Sequence, residues 1–381
     1  MEHINDFTIG RFRGLRDLKI ENLGQVNLFV GNNNSGKTSV LEAAYLFCDP
    51  VNWRRWYDIA SQREASGTPR APLTDQLMWL FLQEGHDRQT ASPESVGILL
   101  SASGNLPTTR VSASYEFFTE IVTRSGSVVS KVEEMTEERE IEDREVEGIK
   151  IHISIATTST TQLTLFGGDT APLLKETLTF SDNRPFPIRR QERTALPSQI
   201  VNPFSHRTSG LTTQLWSQVV EANLKEETIQ LLHFFDLGIQ DVDFISLKEG
   251  RQFISIKHEK SGRVPLYAFG DGLRRVFTLA VTIPRARNGL LLIDELETSI
   301  HTKALEKTFD WLVKACIRNN IQLLATTHSL EALDALLEVS REQADLVVYR
   351  LQQDKQQTTT TRLNKEITLR LREELGMELR Y

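Results

Sequence analysis

The spacing of hydrophobic and polar residues changes along this chain, and each change predicts a different kind of structure. Residues 4–10 and 15–22 alternate apolar and polar positions, which predicts two β-strands. A third strand is predicted at 26–30, where four apolar residues flank one asparagine. From Ser39 to Cys48 the apolar residues recur at helical spacing, so a helix is predicted shortly after the third strand.

A β-rich region follows between about residues 95 and 181. Short apolar runs there are bounded by Gly, Pro and Asn, which is typical of strands separated by turns. The predicted strands are 96–102, 110–118, 149–157 and 173–180, and a short helix is predicted before them from Thr74 to Gln83. Residues 182–210 contain four prolines and are predicted to form an irregular connector.

Helical spacing returns at 211–236, and a hairpin is predicted from 240–247 and 251–258. A further helix opens at Gly270-Asp-Gly272 and ends near Pro284. Strands and helices then alternate, which predicts an α/β fold. These elements are strand 290–293, helix 299–318, strand 321–326, helix 329–339 and strand 345–350, with a last helix at 364–377. The uninterrupted apolar run at 290–293 is typical of a strand in a buried parallel sheet.

These patterns divide the chain of 381 residues into three predicted regions. Residues 1–50 and 211–381 supply the α/β part, and residues 51–210 interrupt it as a β-rich insert. We expect the insert to supply partner or dimer contacts and no catalytic residue. Its histidines, His86, His152 and His206, do not have the spacing of metal ligands.

The charge of the chain is acidic but unevenly distributed. The net charge is −7 and the isoelectric point about 5.7, which argues against a surface that binds nucleic acid throughout. Residues 131–147 alone hold nine acidic and three basic residues, so a local basic face elsewhere stays open. The basic candidates are Arg11, Arg13, Lys19, Arg184, Arg189, Arg190 and Arg193.

The two cysteines, Cys48 and Cys316, fall on apolar sides of predicted helices, which predicts buried free thiols. The absence of a disulfide framework in the sequence fits a reducing cytoplasm. The start of the chain is polar and acidic, unlike a signal peptide. Because no apolar run approaches the roughly twenty residues that a membrane span requires, we expect a cytoplasmic protein without a membrane partner.

A glycine-rich segment between the third strand and its helix carries the first chemical signal. Gly31-Asn-Asn-Asn-Ser-Gly-Lys-Thr38 fits G-x-x-x-x-G-K-[ST], the loop whose backbone N–H groups surround the phosphates of a nucleotide. Lys37 supplies a positive charge for the β- and γ-phosphates, and the Thr38 hydroxyl reaches Mg²⁺. The predicted ligands are ATP and Mg²⁺, held by Gly31, Asn32, Asn33, Asn34, Ser35, Gly36, Lys37, Thr38 and Ser39.

Two later strands end in polar residues that suit the same chemistry. Asp294 and Glu295 follow the buried run at 290–293, at the strand end where open α/β sheets bind ligands. Asp294 offers hard oxygen to Mg²⁺, and Glu295 is placed to accept a proton from an attacking water. His328 follows the next strand and is predicted to hydrogen-bond the γ-phosphate. The predicted catalytic residues are therefore Lys37, Glu295 and His328.

Together these motifs resemble the ABC-type ATPases. Asp294-Glu-Leu-Glu-Thr-Ser-Ile-His301 is similar to their second nucleotide motif and D-loop, and His328 matches their switch histidine. Gly270, Asp271 and Gly272 lie where that superfamily keeps its signature. The opening Ile-Gly-Arg-Phe-Arg-Gly-Leu is similar to RecF, the SMC proteins and the OLD (overcoming lysogenization defect) ATPases, often labelled AAA. The closest resemblance is to OLD-like, phage-defence-associated ATPases, and we expect this protein to lack their Toprim nuclease domain.

The resemblance implies a fold and a way of working. The expected fold is an ABC-type head, with a phosphate-loop NTPase sheet, an N-terminal antiparallel β-subdomain and the β-rich insert. Two heads would form a head-to-tail dimer on two ATP molecules and regulate a nucleic-acid or nuclease activity in phage defence or DNA repair, through a separately encoded effector. Arg13 is a further candidate for nucleotide contact.

This sequence departs from the family pattern in its signature and leaves alternatives open. The usual Leu-Ser-Gly-Gly-Gln has Gly270 at the serine and Asp271 at the first glycine, which removes a hydroxyl donor to the γ-phosphate. The Q-loop glutamine of the family is not assigned, and Gln62 and Gln83 are the two candidates. A membrane-transporter ATPase subunit and a non-hydrolysing scaffold are the alternatives. A GTPase is disfavoured, because Asn364-Lys-Glu-Ile367 lacks the aspartate that pairs with guanine.

Overall fold

We describe the protein from a computed structural model of the chain. The described residues are 3–61, 71–81, 97–122, 128–129, 144–157, 173–181, 195–208, 213–246, 252–341, 344–354 and 357–373. Predictions for the acidic run up to residue 143, for the arginines at 184–193 and for Gln62 and Gln83 fall outside these residues. Among the described helices, none combines the length and the apolar character that crossing a membrane demands.

The described chain is a mixture of strands and helices in an α/β order. The strands are β1 (Ile4–Phe12), β2 (Leu15–Ile20), β3 (Val26–Gly31), β4 (Ile98–Gly104), β5 (Thr108–Val122), β6 (Val128–Val129), β7 (Arg144–Thr157), β8 (Leu173–Ser181), β9 (Ser198–Val201), β10 (Ile239–Ser246), β11 (Gln252–His258), β12 (Gly262–Pro265), β13 (Leu290–Ile293), β14 (Gln322–Thr326), β15 (Leu346–Asp354) and β16 (Gln357–Asn364). The helices are α1 (Lys37–Cys48), α2 (Trp53–Ser61), α3 (Leu73–Met78), α4 (Ser205–Thr208), α5 (Thr213–Glu221), α6 (Lys225–His233), α7 (Asp271–Ala286), α8 (Thr302–Arg318), α9 (Leu330–Val339) and α10 (Lys365–Glu373).

The chain forms two compact units. The first unit contains Met1–Asp6, Lys19–Tyr45 and Leu196–Tyr381, and the second contains Phe7–Leu18 and Leu46–Ala195. The division into 1–50, 51–210 and 211–381 that the sequence suggests stays a prediction.

A six-stranded sheet organises the first unit. Its strand order is β16-β15-β3-β14-β13-β9, in which all neighbours pair in parallel except β16, which is antiparallel at the edge. Every residue of β3, β13 and β14 is buried, which explains why their sequences are nearly continuous apolar runs. Because β3, β13 and β14 run in the same direction, their carboxyl ends meet at one edge. The predicted α/β fold with a buried parallel sheet is confirmed.

Helices α7, α8 and α9 bury apolar faces in the core of the first unit. Helix α7 contributes Val276, Phe277 and Ala280, and Phe277 stacks on Trp216 of α5. The buried side chain of Gln322 is a hydrogen-bonded polar group in this core. It accepts the backbone N–H of Ile4 at 2.9 Å and donates to the carbonyls of Ile4 and Gly24, both at 2.9 Å. The amide thereby ties the start of β1 to β14.

The second unit is built on a largely antiparallel sheet of order β2-β1-β4-β5-β7-β8, with β6 beside β5. The long strands β5 and β7 pair from Thr108 with Thr157 to Val122 with Arg144. Helices α2 and α3 belong to the same unit. Trp56 of α2 is fully buried, stacks on Phe81 and donates its indole N–H to the carbonyl of Pro50 at 2.7 Å.

Three details differ from the sequence patterns. The helix predicted at 211–236 is two helices, α5 and α6, separated at Asn223, whose φ of 58° ends the first one. The connector predicted at 182–210 contains β9, which pairs with β13 in the six-stranded sheet. Helix α2 and strands β12 and β16 carry no predicted element, because their polar content hides the spacing that marks a half-buried element.

Candidate nucleotide site

The segment between β3 and α1 adopts a loop that only particular residues permit. Gly31 and Gly36 have φ values of 144° and 93°, and Asn34 has a φ of 69°. These are left-handed or related conformations that favour glycine and tolerate asparagine. A Cβ on Gly31 would also lie 2.3 Å from the carbonyl oxygen of Leu351. The consensus glycine at this position is therefore required by the neighbouring strand as well as by the turn.

Lys37 occupies the inside of this loop. Its Nζ donates to the carbonyls of Gly31 and Asn32, both at 2.8 Å, while Asn32, Asn33 and Asn34 are exposed. Burial lowers the pKa of Lys37 to about 8, and the carboxylates of Asp294, Glu295 and Glu297 act in the opposite direction. An ammonium gathered among backbone carbonyls is ready to meet phosphate oxygens, which are stronger acceptors. Ser35 in the loop and Ser39 in the first turn of α1 are also buried.

Thr38 and Asp294 meet across the edge of the sheet. The Thr38 hydroxyl lies 3.0 and 3.2 Å from the two carboxylate oxygens of Asp294, although 256 positions separate these residues. Asp294 also accepts the Thr326 hydroxyl at 2.6 Å. Among the described residues, no cluster of three or more His, Cys, Asp and Glu could hold a metal. One hydroxyl and one carboxylate fit Mg²⁺, which usually takes few protein oxygens together with water and phosphate.

Glu295 lies directly beyond Asp294 in an unusual backbone conformation. Its φ is 47°, which is uncommon for a residue with a side chain. Its N–H donates to the Thr326 hydroxyl at 2.9 Å, and its Oε2 accepts the Thr298 hydroxyl at 2.8 Å. Non-glycine residues in such conformations cluster at functional sites and need surrounding bonds to hold them. The carboxylate is thus held by a residue of its own turn and its backbone by the neighbouring strand.

His328 follows β14 at the same edge, and its backbone is held by a residue that the sequence analysis did not select. Glu297 accepts the N–H of His328 at 2.9 Å through Oε1 and the hydroxyl of Thr327 at 2.8 Å through Oε2. Glu297 and Thr326 are therefore part of the site without being predicted. The sequence feature that could have identified them is proximity to predicted site residues. Glu297 follows Glu295 by two positions, and Thr326 precedes His328 by two positions.

The signature segment begins α7. Gly270 is the N-terminal capping residue, and a Cβ added to it would meet no atom within 4 Å. Gly272 is different, because its Cβ would lie 2.8 Å from the carbonyl oxygen of Ser299. The missing side chain of Gly272 therefore lets α7 pack against the turn after Glu295.

Asp271 is engaged by neighbouring cations within the first unit. Arg207 donates to its Oδ2, and Arg274 donates to its Oδ1 at 3.2 Å. The buried His206 lies 3.5 Å from the same carboxylate. Hydrogen bonding from Arg207 and its charge lower the pKa of Asp271, while burial lowers the pKa of His206. The aspartate thus replaces a signature residue with a local ion cluster at the start of α7.

Arg13 belongs to the second unit. Its guanidinium donates to the carbonyl of Ile59 at 3.1 Å, and its backbone N–H to the carbonyl of Leu80 at 2.9 Å. Its φ is 51°. These contacts give Arg13 a role in joining the turn between β1 and β2 to α2, and its contact with a nucleotide stays a prediction.

Two protein-family models match this chain. One, described as "AAA ATPase domain", matches residues 3–162, and the other, described as "AAA domain, putative AbiEii toxin, Type IV TA system", matches residues 162–334. An uncharacterised protein of Methanocaldococcus jannaschii is 35% identical over 112 residues, which are 29% of this chain and 98% of that protein. An ATP/GTP phosphatase of Helicobacter pylori is 29% identical over 152 residues, 39% of each chain.

Other similarities are partial or distant. A second uncharacterised protein of M. jannaschii is 41% identical over 68 residues, so the chain spans less than a third of its length. An SMC head bound to the C-terminal winged-helix domain of ScpA has a TM-score of 0.48 at 12% identity, over 99% of this chain and 100% of that one. The SMC head domain of Thermotoga maritima has a TM-score of 0.39 at 11% identity, over 95% and 100%. The two family matches, the motifs and the sheet that joins them show that this chain contains AAA-type ATPase domains.

Proposed function

We propose that this protein binds Mg-ATP at the edge of the six-stranded sheet and hydrolyses it to ADP and phosphate. The observation that carries this proposal is the contact between Thr38 and Asp294, at 3.0 and 3.2 Å, with Lys37 and Glu295 next to them in sequence. A phosphate-binding loop or a carboxylate at a strand end can each occur for other reasons. Their direct contact is the arrangement by which phosphate-loop enzymes hold Mg²⁺ and the nucleotide for hydrolysis.

Each residue of the site has a chemical task. The loop N–H groups and Lys37 bind and orient the phosphates, and the start of α1 contributes its positive end. Thr38 and Asp294 would hold Mg²⁺, which supplies neutralisation of phosphate charge when bound. Glu295 accepts the proton of the attacking water, and its hydrogen bond from Thr298 orients the carboxylate. His328 donates toward the γ-phosphate.

We propose that the site is completed by a second copy of the chain. The γ-phosphate needs donors on its open side, and the start of α7 offers backbone N–H groups there. The open space around Gly270 supports this role. Two such sites related by a two-fold axis would close a head-to-tail dimer. ATP binding would then drive a conformational change.

We further propose that this change regulates a nucleic-acid or nuclease activity in the cytoplasm, as part of phage defence or DNA repair in the OLD-like manner. The description of the matching family model as a toxin of a type IV toxin–antitoxin system supports a defence role. A separately encoded effector, nuclease-like in chemistry, is the expected partner. The second unit, rich in strands and without a predicted catalytic residue, is the expected contact surface.

The test is the rate of phosphate release with and without Mg²⁺, in the parent and in Glu295→Gln. The amide keeps the shape of the carboxylate but cannot accept a proton, so turnover should fall roughly 10²- to 10⁴-fold while ATP still binds. The matched control is Glu306→Gln on the exposed face of α8, which should keep the parental rate.

Three outcomes separate the alternatives. Parental turnover in Glu295→Gln would mean that another group is the base. ATP binding with no turnover in the parent would indicate the non-hydrolysing scaffold. Because the Helicobacter relative is named an ATP/GTP phosphatase, the assay should be repeated with GTP in place of ATP. Faster turnover of GTP than of ATP would contradict ATP as the substrate.

A further inference from the structure

Arg275 is a fully buried cation one helical turn into α7. Its exposed fraction is 0%, and it is among the largest buried side chains of the protein. Its guanidinium donates to three backbone carbonyls, those of Asn202, Asp294 and Glu295, the last two at 3.0 and 3.2 Å. Burial lowers the pKa of Arg275 to about 10, so it remains charged at neutral pH.

Burying this charge has a free-energy cost that its surroundings must offset. Moving a cation out of water costs several kcal/mol unless polar partners replace the lost hydration. Here the nearest replacements are carbonyl dipoles, with attraction from the charges of Asp294, Glu295 and Glu297. Planar guanidinium groups suit this task, since one side chain can bind several acceptors in fixed directions.

Two of the three carbonyls belong to the residues proposed for metal binding and catalysis. Glu295 has a φ of 47°, which its surroundings must hold. Its carbonyl accepts from Arg275 and from the N–H of Thr298 at 3.0 Å, while its own N–H is bound by Thr326. Arg275 therefore donates hydrogen bonds to the peptide groups on both sides of the Glu295 Cα, the atom from which the carboxylate side chain extends.

We propose that Arg275 is a positioning residue that couples the start of α7 to the catalytic turn at Asp294 and Glu295. The proposal rests on the proposed function, in which Glu295 is the base. An α-helix has 3.6 residues per turn, so Arg275 lies about one turn from Asp271 and moves with the helix end that a partner's nucleotide would contact. Through its three carbonyls, a shift of that end reaches Glu295 without a direct contact to substrate.

The first test is Arg275→Lys, which keeps the charge but loses the planar fork. Supporting residues that orient a catalytic group typically contribute 10- to 100-fold, so kcat should fall roughly that much. KM and the Kd for ATP in the Glu295→Gln background should change less than about 2-fold, because the phosphate loop is untouched. The matched control is Arg285→Lys, on the exposed C-terminal end of the same helix, which should keep the parental kcat.

The second test is a double-mutant cycle with Glu295→Gln. If Arg275 acts through Glu295, Arg275→Lys should reduce the residual rate of Glu295→Gln by less than about 2-fold, because residues that act as a unit are not additive. The same loss in both backgrounds would overturn the proposal, since Arg275 would then act independently of the base.

The outcomes also distinguish this inference from the proposed function. A parent that does not hydrolyse ATP contradicts the function itself. A hydrolysing parent whose Arg275→Lys variant keeps the parental kcat contradicts only the inference. If Arg275→Lys does not fold, as judged by its thermal transition, the neutral Arg275→Gln takes its place. Loss of the fold in both variants would assign Arg275 to stability alone and overturn the positioning role.

Discussion

Glu297 shows how a single carboxylate can organise a site without touching the reaction. Its two oxygens accept the N–H of His328 and the hydroxyl of Thr327, so it joins the turn after β13 to the end of β14. Glu295 and Glu297 are two residues apart and alike in sequence, yet the first faces a threonine of its own turn and the second holds the neighbouring strand end. Their environments, not their chemistry, assign different tasks.

We predict that Glu297→Gln lowers turnover roughly 10-fold while leaving ATP binding intact. The amide can still accept one of the two hydrogen bonds, but its NH₂ group replaces the other acceptor, so the backbone before His328 is held less firmly. Steady-state phosphate release and ATP titration measure the two effects. A parental rate in this variant would mean that the position of His328 does not limit turnover.

At the level of residues, the sequence identifies groups that belong to a consensus and misses those that hold them. Lys37, Thr38 and Asp294 follow from spacing, because the chemistry of phosphate and Mg²⁺ demands fixed residue types in a fixed order. Arg275 donates to backbone carbonyls, and the Thr326 hydroxyl accepts the N–H of Glu295 and donates to the carboxylate of Asp294. Such contacts depend on which strands become neighbours, and no local pattern encodes that.

Helix α7 and the turn after β13 pack so closely that one glycine is required between them. A Cβ on Gly272 would lie 2.8 Å from the carbonyl of Ser299, and Ser299 itself has a φ of 64°. Backbone atoms cannot move aside as a flexible side chain would. The start of α7 and the loop after the carboxylates are therefore held as one packed piece.

We predict that Gly272→Ala destabilises the protein by about 1–3 kcal/mol, the usual cost of overpacking. The matched control is Gly270→Ser, two residues earlier, where the added side chain meets open space and serine is a favourable N-cap. Thermal unfolding should show a lower transition temperature for Gly272→Ala and an equal or slightly higher one for Gly270→Ser. Equal transitions in both variants would contradict the packing between α7 and Ser299.

Helix α8 places Cys316 on its buried face. Burial raises the pKa of its thiol to about 12, and Cys48 is buried as well. The prediction that both cysteines are buried thiols outside a disulfide is confirmed.

We predict that the native protein resists thiol reagents at pH 8, because both thiols are buried and the raised pKa of Cys316 leaves almost none of its reactive thiolate form at that pH. Both thiols should react after unfolding in denaturant. A chromogenic disulfide reagent, with and without denaturant, gives the two counts. Rapid modification of one thiol in the folded protein would contradict the burial.

Elements with a strong period follow from the sequence, and weakly patterned ones do not. The buried strands β13 and β14 are predicted because full burial requires apolar runs, and helix α8 between them is predicted from the helical spacing of its apolar residues. Strand β16 is rich in threonine and mostly exposed at the sheet edge, so its sequence lacks that signal. The break between α5 and α6 depends on one left-handed residue, Asn223, inside an otherwise continuous helical spacing.

Over the whole chain, the proposed site draws on segments that are far apart in sequence. Residues 31–38, 294–297 and 326–328 meet because β3, β14 and β13 are neighbours in one parallel sheet. The long segment between the first two of these sites contains Leu46–Ala195, which is most of the second unit.

The proposed assembly predicts that two defective chains can restore activity in each other. Gly270→Trp should obstruct the approach of α7 to a partner's nucleotide without disturbing its own chain, since the site around Gly270 is open. Glu295→Gln should bind ATP and keep its α7 intact. In a mixed dimer, one of the two sites would then combine an intact Glu295 with an intact helix end.

The most direct measurement is therefore phosphate release by a 1:1 mixture of Gly270→Trp and Glu295→Gln, mixed before Mg-ATP is added. Each variant alone should be almost inactive. Random pairing makes half of the dimers mixed with one working site each, so the mixture should recover up to about a quarter of parental turnover. Full turnover by Gly270→Trp alone, or a mixture no faster than the sum of its parts, would contradict a site completed by a second chain.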